Sequence, residues 1–346
     1  MILFHNDYNE VCHPAVLQAI NDTAAGQYPG YGTDDLCKEA ANIIKSLCDN
    51  DKLFVHFLVG GTQTNLTVIA AALRPYQGVI SADTGHINVH ETGAIEATGH
   101  KVLAIPSPDG KLTAEQIRTA AGAQSEAMDA EHTVQPKMVY ISNPTEVGTI
   151  YTLSELEQIS TACKECGLYL FMDGARLGYG LTSPENDITM PDLARLCDVF
   201  YIGGTKVGAM FGEAVIISNA YIAEDFRYMI KQRGGMLAKG WLLGLQFKVL
   251  LEDGLYFRVS QHAIDMAQKL RNTLQELNIP VLVDSPSNQI FPILPDALLK
   301  ILDTSFTYNL TERIDADHCC VRFCTSWATK QEDVDALCDE LLAYYR

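Results

Sequence analysis

From about residue 54 to residue 217, short apolar runs alternate with segments of helical spacing. The runs VHFLVGG (55–61), GVISAD (78–83), KVLAIP (101–106), KMVYIS (137–142), LYLFMD (168–173), DVFYIGG (198–204) and EAVIIS (213–218) read as strands. Between them, the amphipathic run Thr64 to Leu73, the segment NVHETGAIEATG, the acidic and Ala-rich stretch 113–130 and the run Ser154 to Cys166 read as helices. Such alternation predicts βαβ units, and therefore a mostly parallel sheet with helices over both faces.

The pattern changes near residue 236. A long helical reading covers 236–275, with a break expected at Asp253–Gly254, where a turn is easily made. After it come a strand VLVDS, a strand around NQIFPIL, a helix PDALLKIL, a strand near CCVRFC and a terminal helix EDVDALCDELLAYY. We therefore expect a large α/β domain at 1–248 and a small α+β domain at 249–346, a division that suits a chain of 346 residues.

Composition narrows the function classes. Hydrophobic residues make up 47% and charged residues 20%, the profile of a folded enzyme rather than a disordered or fibrous chain. The 43 acidic residues against 25 basic ones give a formal charge of -18, which repels nucleic acid backbones and anionic lipid. MILFHNDYNE turns polar after four residues, unlike a signal peptide, and no apolar run reaches the ~20 residues of a membrane span. A cytoplasmic protein with reduced cysteines is expected. Cys163 and Cys166 form a C-x-x-C without a second ligand pair, so no metal site is read there.

Four segments fall at the carboxyl ends of predicted strands, where open α/β sheets place their ligands. GGTQTN (60–65) opens a helix, and Gly60, Gly61 and Thr62 can offer backbone and hydroxyl donors to a phosphate. In FMDGAR (171–176), Asp173 ends an apolar strand, where a carboxylate needs a cationic partner such as a protonated pyridine nitrogen. In GGTK (203–206), apolar surroundings favour the neutral amine of Lys206, which can then condense with an aldehyde. In ADTGHINVHETGA (82–94), His86 and His90 stand four residues apart, so on a helix they share a face and suit ring stacking together with proton transfer. A zinc reading fails there for want of a third ligand. Each segment has a bland reading as a turn, a cap or a solvated side chain. Together they supply a phosphate cradle, a carboxylate for the ring nitrogen and a Schiff-base lysine, the requirements of one pyridoxal-phosphate (PLP) site. A nicotinamide-dependent oxidoreductase is disfavoured, because G-x-G-x-x-G is missing after the first strand.

VGGTQTN, DTGHINVHETGA, FMDGAR and GGTKVGA resemble the L-threonine aldolases, within the PLP-dependent transferase-like enzymes of fold type I that also include β-eliminating lyases. The likeness runs from HNDYNE at 5–10 through Lys206 and less securely beyond. It implies that Lys206 holds PLP, Asp173 pairs with its ring nitrogen, Gly61 and Thr62 take the phosphate, and His86 stacks on the ring. It further implies that Arg176 and Arg322 clamp the substrate carboxylate, with Asn6 nearby, and that Tyr31 reaches a neighbouring subunit of a homodimer or homotetramer. The activity implied is cleavage of L-threonine or L-allo-threonine to glycine and an aldehyde. β-Elimination or amino transfer on the same site is the alternative, and a non-catalytic binding protein a remote one. Two departures stand out. SNPTEVGT places Thr145 or Glu146 where many members carry a histidine, which leaves the base open among His86, His90 and Glu146. The basic residue that meets the phosphate is open among Lys231, Arg233 and Lys239.

Overall fold

A computed structural model describes residues 1–346. The strands in chain order are β1 (Ile2–Leu3), β2 (Phe54–Leu58), β3 (Gln77–Ala82), β4 (Val102–Ile105), β5 (Gln135–Ser142), β6 (Tyr169–Asp173), β7 (Val199–Gly203) and β8 (Glu213–Ile217). They continue with β9 (Gln289–Ile290), β10 (Ile293–Pro295), β11 (Phe306–Thr307), β12 (Asn309–Arg313) and β13 (His318–Cys324). The central sheet runs β2-β8-β7-β6-β5-β3-β4, and only β8 is antiparallel to its neighbours.

The unbroken apolar runs of the sequence follow from burial on both sides of this sheet. Along β5, Val139 and Ile141 join one core while Met138 and Tyr140 join the other. Along β7, Phe200 and Ile202 face the first core, and Val199 and Tyr201 the second. Because successive side chains alternate across a strand, a doubly covered strand is apolar at every position.

A third core lies under the C-terminal sheet, in which β13 pairs with β10, β12 and β9. The chain's start belongs there: β1 pairs in parallel with β11, and Phe4 enters that core. The helix Leu255–Glu276 serves both regions, with Tyr256, Val259 and Ala263 in the first core and Met266, Leu270 and Leu274 in the third. The break expected before this helix falls at Gly254, whose φ of 68° is left-handed and suits a residue without Cβ. No helix is long and apolar enough to cross a membrane.

Three expected elements differ. NVHETGAIEATG is not one helix: a short helix spans His86–Val89, after which left-handed Thr92 (φ 53°) and Gly93 (φ 72°) stop its continuation. VLVDS is not a strand but a single bridge, Val281 to Pro292, because the prolines at 280 and 286 on either side remove ladder donors. The helix expected over 113–130 ends at Ser125.

Candidate active site

The carboxyl edge of the sheet gathers the chemistry. Gly60 and Gly61 follow β2, Ser142 and Asp173 end β5 and β6, and Lys206 follows β7. Because β8 runs the other way, its first residue, Glu213, lies opposite Gly203 at the same edge. Gly60, Gly61, Thr62, His86, Glu146, Asp173, Arg176 and Lys206 all line one cleft of ≈ 280 Å³.

At the cleft floor, the helix Gly61–Ala72 begins without a side-chain cap. Its first-turn N–H groups are left with the positive end of the helix dipole, the arrangement that receives a phosphate. A Cβ built on Gly60 meets no atom within 4 Å, so open space lies over the turn.

Asp173 is 5% exposed, yet its carboxylate is fully supplied with donors. Oδ1 accepts from Tyr201 OH (2.5 Å) and Ala175 N–H (2.9 Å), and Oδ2 from Tyr140 OH (2.6 Å) and Asn65 Nδ2 (3.1 Å). Burial alone raises its pKa, but the charge of His86 and these donors outweigh burial and hold it below the usual carboxylate range. A fixed negative charge therefore sits at the end of β6, suited to a protonated ring nitrogen.

The Lys206 ε-amine forms neither hydrogen bond nor ion pair, while its backbone carbonyl is held by Tyr179 OH at 2.5 Å. Burial first, then the nearby Arg176 charge, push its pKa down; Asp7, Asp173 and Glu213 resist. Glu213 accepts from Gly204 N–H (3.1 Å) and Thr205 OH (2.9 Å), and burial pushes its pKa up to about 8. The donor set and the unpaired amine thus fit PLP.

His86 Nδ1 lies 2.8 Å from Glu91 Oε1, and the same oxygen accepts from Asn65 Nδ2 at 2.7 Å. Asn65 thereby bridges Glu91 and Asp173. Burial works to lower the His86 pKa, but Glu91 and Asp173 raise it overall. The His90 ring is exposed and not among the residues that line the cleft, and lies 5.5 Å centroid to centroid from His86. Partial burial first, then the charges of His86, Arg322 and Arg176, lower its pKa. Glu146 Oε1 accepts from His86 N–H (3.0 Å) and Ser142 OH (2.8 Å), and burial and Asp173 raise its pKa. Thr145 instead bonds Thr149 at 2.7 Å.

The sequence did not indicate how Arg176 is held. Its Nε and Nη2 donate to the two oxygens of buried Asp7 at 2.7 and 3.0 Å, so the bidentate edge of the guanidinium already has a partner. What faces an incoming carboxylate is the remainder of the fork. Asp7 was visible within HNDYNE, but only the fold brings it 169 residues along the chain to Arg176. Arg322 donates more loosely, to Gln289 Oε1 (3.2 Å) and the His5 carbonyl (3.3 Å). Asn6 is buried, its Oδ1 accepting from Tyr8 N–H at 2.9 Å. We expect Asp7→Leu to destabilise the protein by about 3–5 kcal/mol, because Arg176 is left charged, buried and without its acceptor. A urea midpoint unchanged from wild type would contradict this.

Tyr31 is not brought to Lys206 within one chain. It lies outside the cleft, 47% exposed, with Lys231 Nζ 5.0 Å from its ring centroid and Arg227 Nη2 donating to its carbonyl. The Arg233 carbonyl accepts from Gln63 Nε2 (3.2 Å), which sets its backbone against the Gly60–Asn65 turn. Lys239 is exposed.

The model of the beta-eliminating lyase family matches residues 11–295. A low specificity L-threonine aldolase of Pseudomonas sp. (strain NCIMB 10558) is 32% identical over 98% of this chain and 96% of its own length. A second, from Pseudomonas aeruginosa, is 31% identical over 86% of the chain and 85% of its own. A solved structure of Leishmania major threonine aldolase superposes with a TM-score of 0.97 at 48% identity, covering all of both chains. An aspartate aminotransferase of Thermus thermophilus shares the fold at 15% identity and a TM-score of 0.73. This chain belongs to the beta-eliminating lyase family, in its threonine aldolase group.

Proposed function

We propose that the protein is a PLP-dependent aldolase that cleaves L-threonine and L-allo-threonine to glycine and acetaldehyde. The observation that carries this reading is the unpaired Lys206 amine sharing one cleft with Asp173 and an uncapped helix start. The relatives above are named for threonine cleavage, which supports carbon–carbon cleavage over β-elimination or amino transfer.

Lys206, Asp173, His86 and the Gly60–Gly61–Thr62 turn would hold the cofactor, with Arg233 the basic residue best placed beside that turn. When bound, PLP supplies a sink for the electron pair released at the substrate's Cα. Arg176 and Arg322 fix the carboxylate, and so decide which bond at Cα stands ready to break. Asp173 would present its negative charge to the protonated ring nitrogen. His86 would stack on the ring, and its Nδ1 is already engaged by Glu91, which suits it poorly to receive a proton.

His90 is then the base for the substrate hydroxyl. Its lowered pKa leaves the ring neutral at pH 7, whereas Glu146 is engaged by His86 N–H and Ser142. The pH consequence follows in sign. Since the neutral ring is the active form and its pKa is lowered, the acid limb of activity should fall at a lower pH than an ordinary histidine would give. His90→Asn should remove that acid limb and lower kcat by roughly 10²–10⁴. Glu146→Gln or His86→Asn reproducing the loss while His90→Asn is silent would reassign the base.

A homodimer or homotetramer completes the site by lending Tyr31, which explains its exposure outside its own chain's cleft. Mixing inactive Lys206→Ala chains with inactive Tyr31→Ala chains should restore partial turnover, since some sites then combine an intact Lys206 with an intact Tyr31. The activity itself is tested directly. Purified protein should be yellow and should release glycine and acetaldehyde from L-threonine. A preparation that added PLP cannot colour would refute the assignment.

A further inference from the structure

Two consecutive residues before and at the start of β9, Asn288 and Gln289, are fully buried polar side chains that none of the reacting groups requires. Each leads to one of the two arginines. Asn288 Nδ2 donates to Asp7 Oδ2 at 2.9 Å and to the Thr325 carbonyl at 2.8 Å, and the same Asp7 oxygen accepts from Arg176 Nε. Gln289 Oε1 accepts from Arg322 Nη1 at 3.2 Å. Neighbouring residues of an extended chain point to opposite sides, so this pair can serve two arginines at once. Strand pairing holds the bracket rigid: Gln289 is registered with Cys324 and Ile290 with Phe323 on β13, the strand that also carries Arg322.

The leftover hydrogen-bonding capacity on the Arg322 side has one sign. Only Oε1 of the glutamine can accept from a guanidinium, so Gln289 Nε2 faces away from Arg322 Nη1. Both Gln289 Nε2 and Arg322 Nε are buried donors without a partner. Buried donors left unpaired are destabilising unless a ligand accepts from them, and donors are what an anionic carboxylate requires.

We propose that Asn288 and Gln289 are positioning residues that set the separation and tilt of Arg176 and Arg322 for an α-carboxylate. This rests on the reading of the two arginines as the carboxylate clamp. Asn288 acts through Asp7, and Gln289 acts directly and keeps Arg322 from turning away from the cleft.

The test compares two amines on cofactor-loaded protein, each followed by the change in visible absorbance. Glycine carries the carboxylate, and ethanolamine carries a hydroxymethyl group in its place. Gln289→Leu should weaken glycine at least tenfold, equivalent to about 1.4 kcal/mol, and leave ethanolamine unchanged. Gln289→Glu, which keeps the side-chain size, sets a fixed negative charge against Arg322 and should weaken glycine at least as much, so a poorly folding leucine variant does not decide the matter. Equal weakening of both amines, or an unchanged ratio in both variants, overturns the proposal. Arg322→Ala is measured in parallel. If it abolishes glycine selectivity while the Gln289 variants retain it, the positioning role fails and the clamp stands. If Arg322→Ala leaves the ratio untouched, the clamp itself is wrong and the proposal falls with it.

Discussion

Lys206→Ala should abolish turnover of L-threonine and remove the borohydride-fixed adduct between cofactor and chain. No other lysine lines the cleft, so no amine is available to take over. The variant should still fold, because the Lys206 side chain makes no hydrogen bond or ion pair, and what anchors this turn is backbone: its carbonyl is held by Tyr179. Cofactor held only by the glycine turn and Asp173 should then be lost on dialysis. Peptide mapping after reduction checks the assignment in the wild type. Label on a lysine other than Lys206, or substantial activity in the variant, would refute it.

Asp173→Asn should lower kcat by about 10²–10³, the usual scale for removing one preorganised electrostatic partner. It should also lower stability, because the new amide sets a donor against groups that already donate. In the wild type, Asn65 and Tyr140 converge on one oxygen and Tyr201 and Ala175 N–H on the other. Whichever way the amide turns, its nitrogen meets an N–H donor, Ala175 N–H on one side or Asn65 Nδ2 on the other, even if the tyrosine hydroxyl there rotates to accept, at about 1–3 kcal/mol for a buried group left unsatisfied. Tyr201→Phe removes one donor without introducing a clash, so it should be the milder change in both respects. Steady-state kinetics and thermal melting of the two variants separate the electrostatic loss from the packing loss. An Asp173→Asn enzyme within about tenfold of wild type would mean that the ring nitrogen does not depend on this carboxylate.

The large domain was legible because its signals are local. An apolar run such as KMVYIS can be buried on both faces only as an inner strand, and β5 is one. Glycine pairs and strand-end Asp and Lys marked the reacting edge for the same reason. Segments ruled by backbone conformation or by distant neighbours were less legible. His86 and His90 were expected to share a helical face; the helix ends at Val89, yet the rings still meet because His90 caps it, its N–H donating to the His86 carbonyl at 2.9 Å and so keeping the helical spacing. VLVDS has strand composition but lies between prolines that deny it a ladder.

What the amino-acid sequence determined by itself was the alternation of strand and helix, and which strand ends carry the lysine and the aspartate that we propose as the cofactor's partners. Those follow from residue type and from position relative to a strand end, both readable along the chain. Only the tertiary structure decided how each group is held: Asp7 occupying the fork of Arg176, Asn65 joining two carboxylates, Glu91 and Asp173 raising the pKa of His86 while that of His90 is lowered. The physical reason is that pKa values and hydrogen-bond partners are set over a few ångströms in space, between residues separated by 5 to 169 positions in the chain.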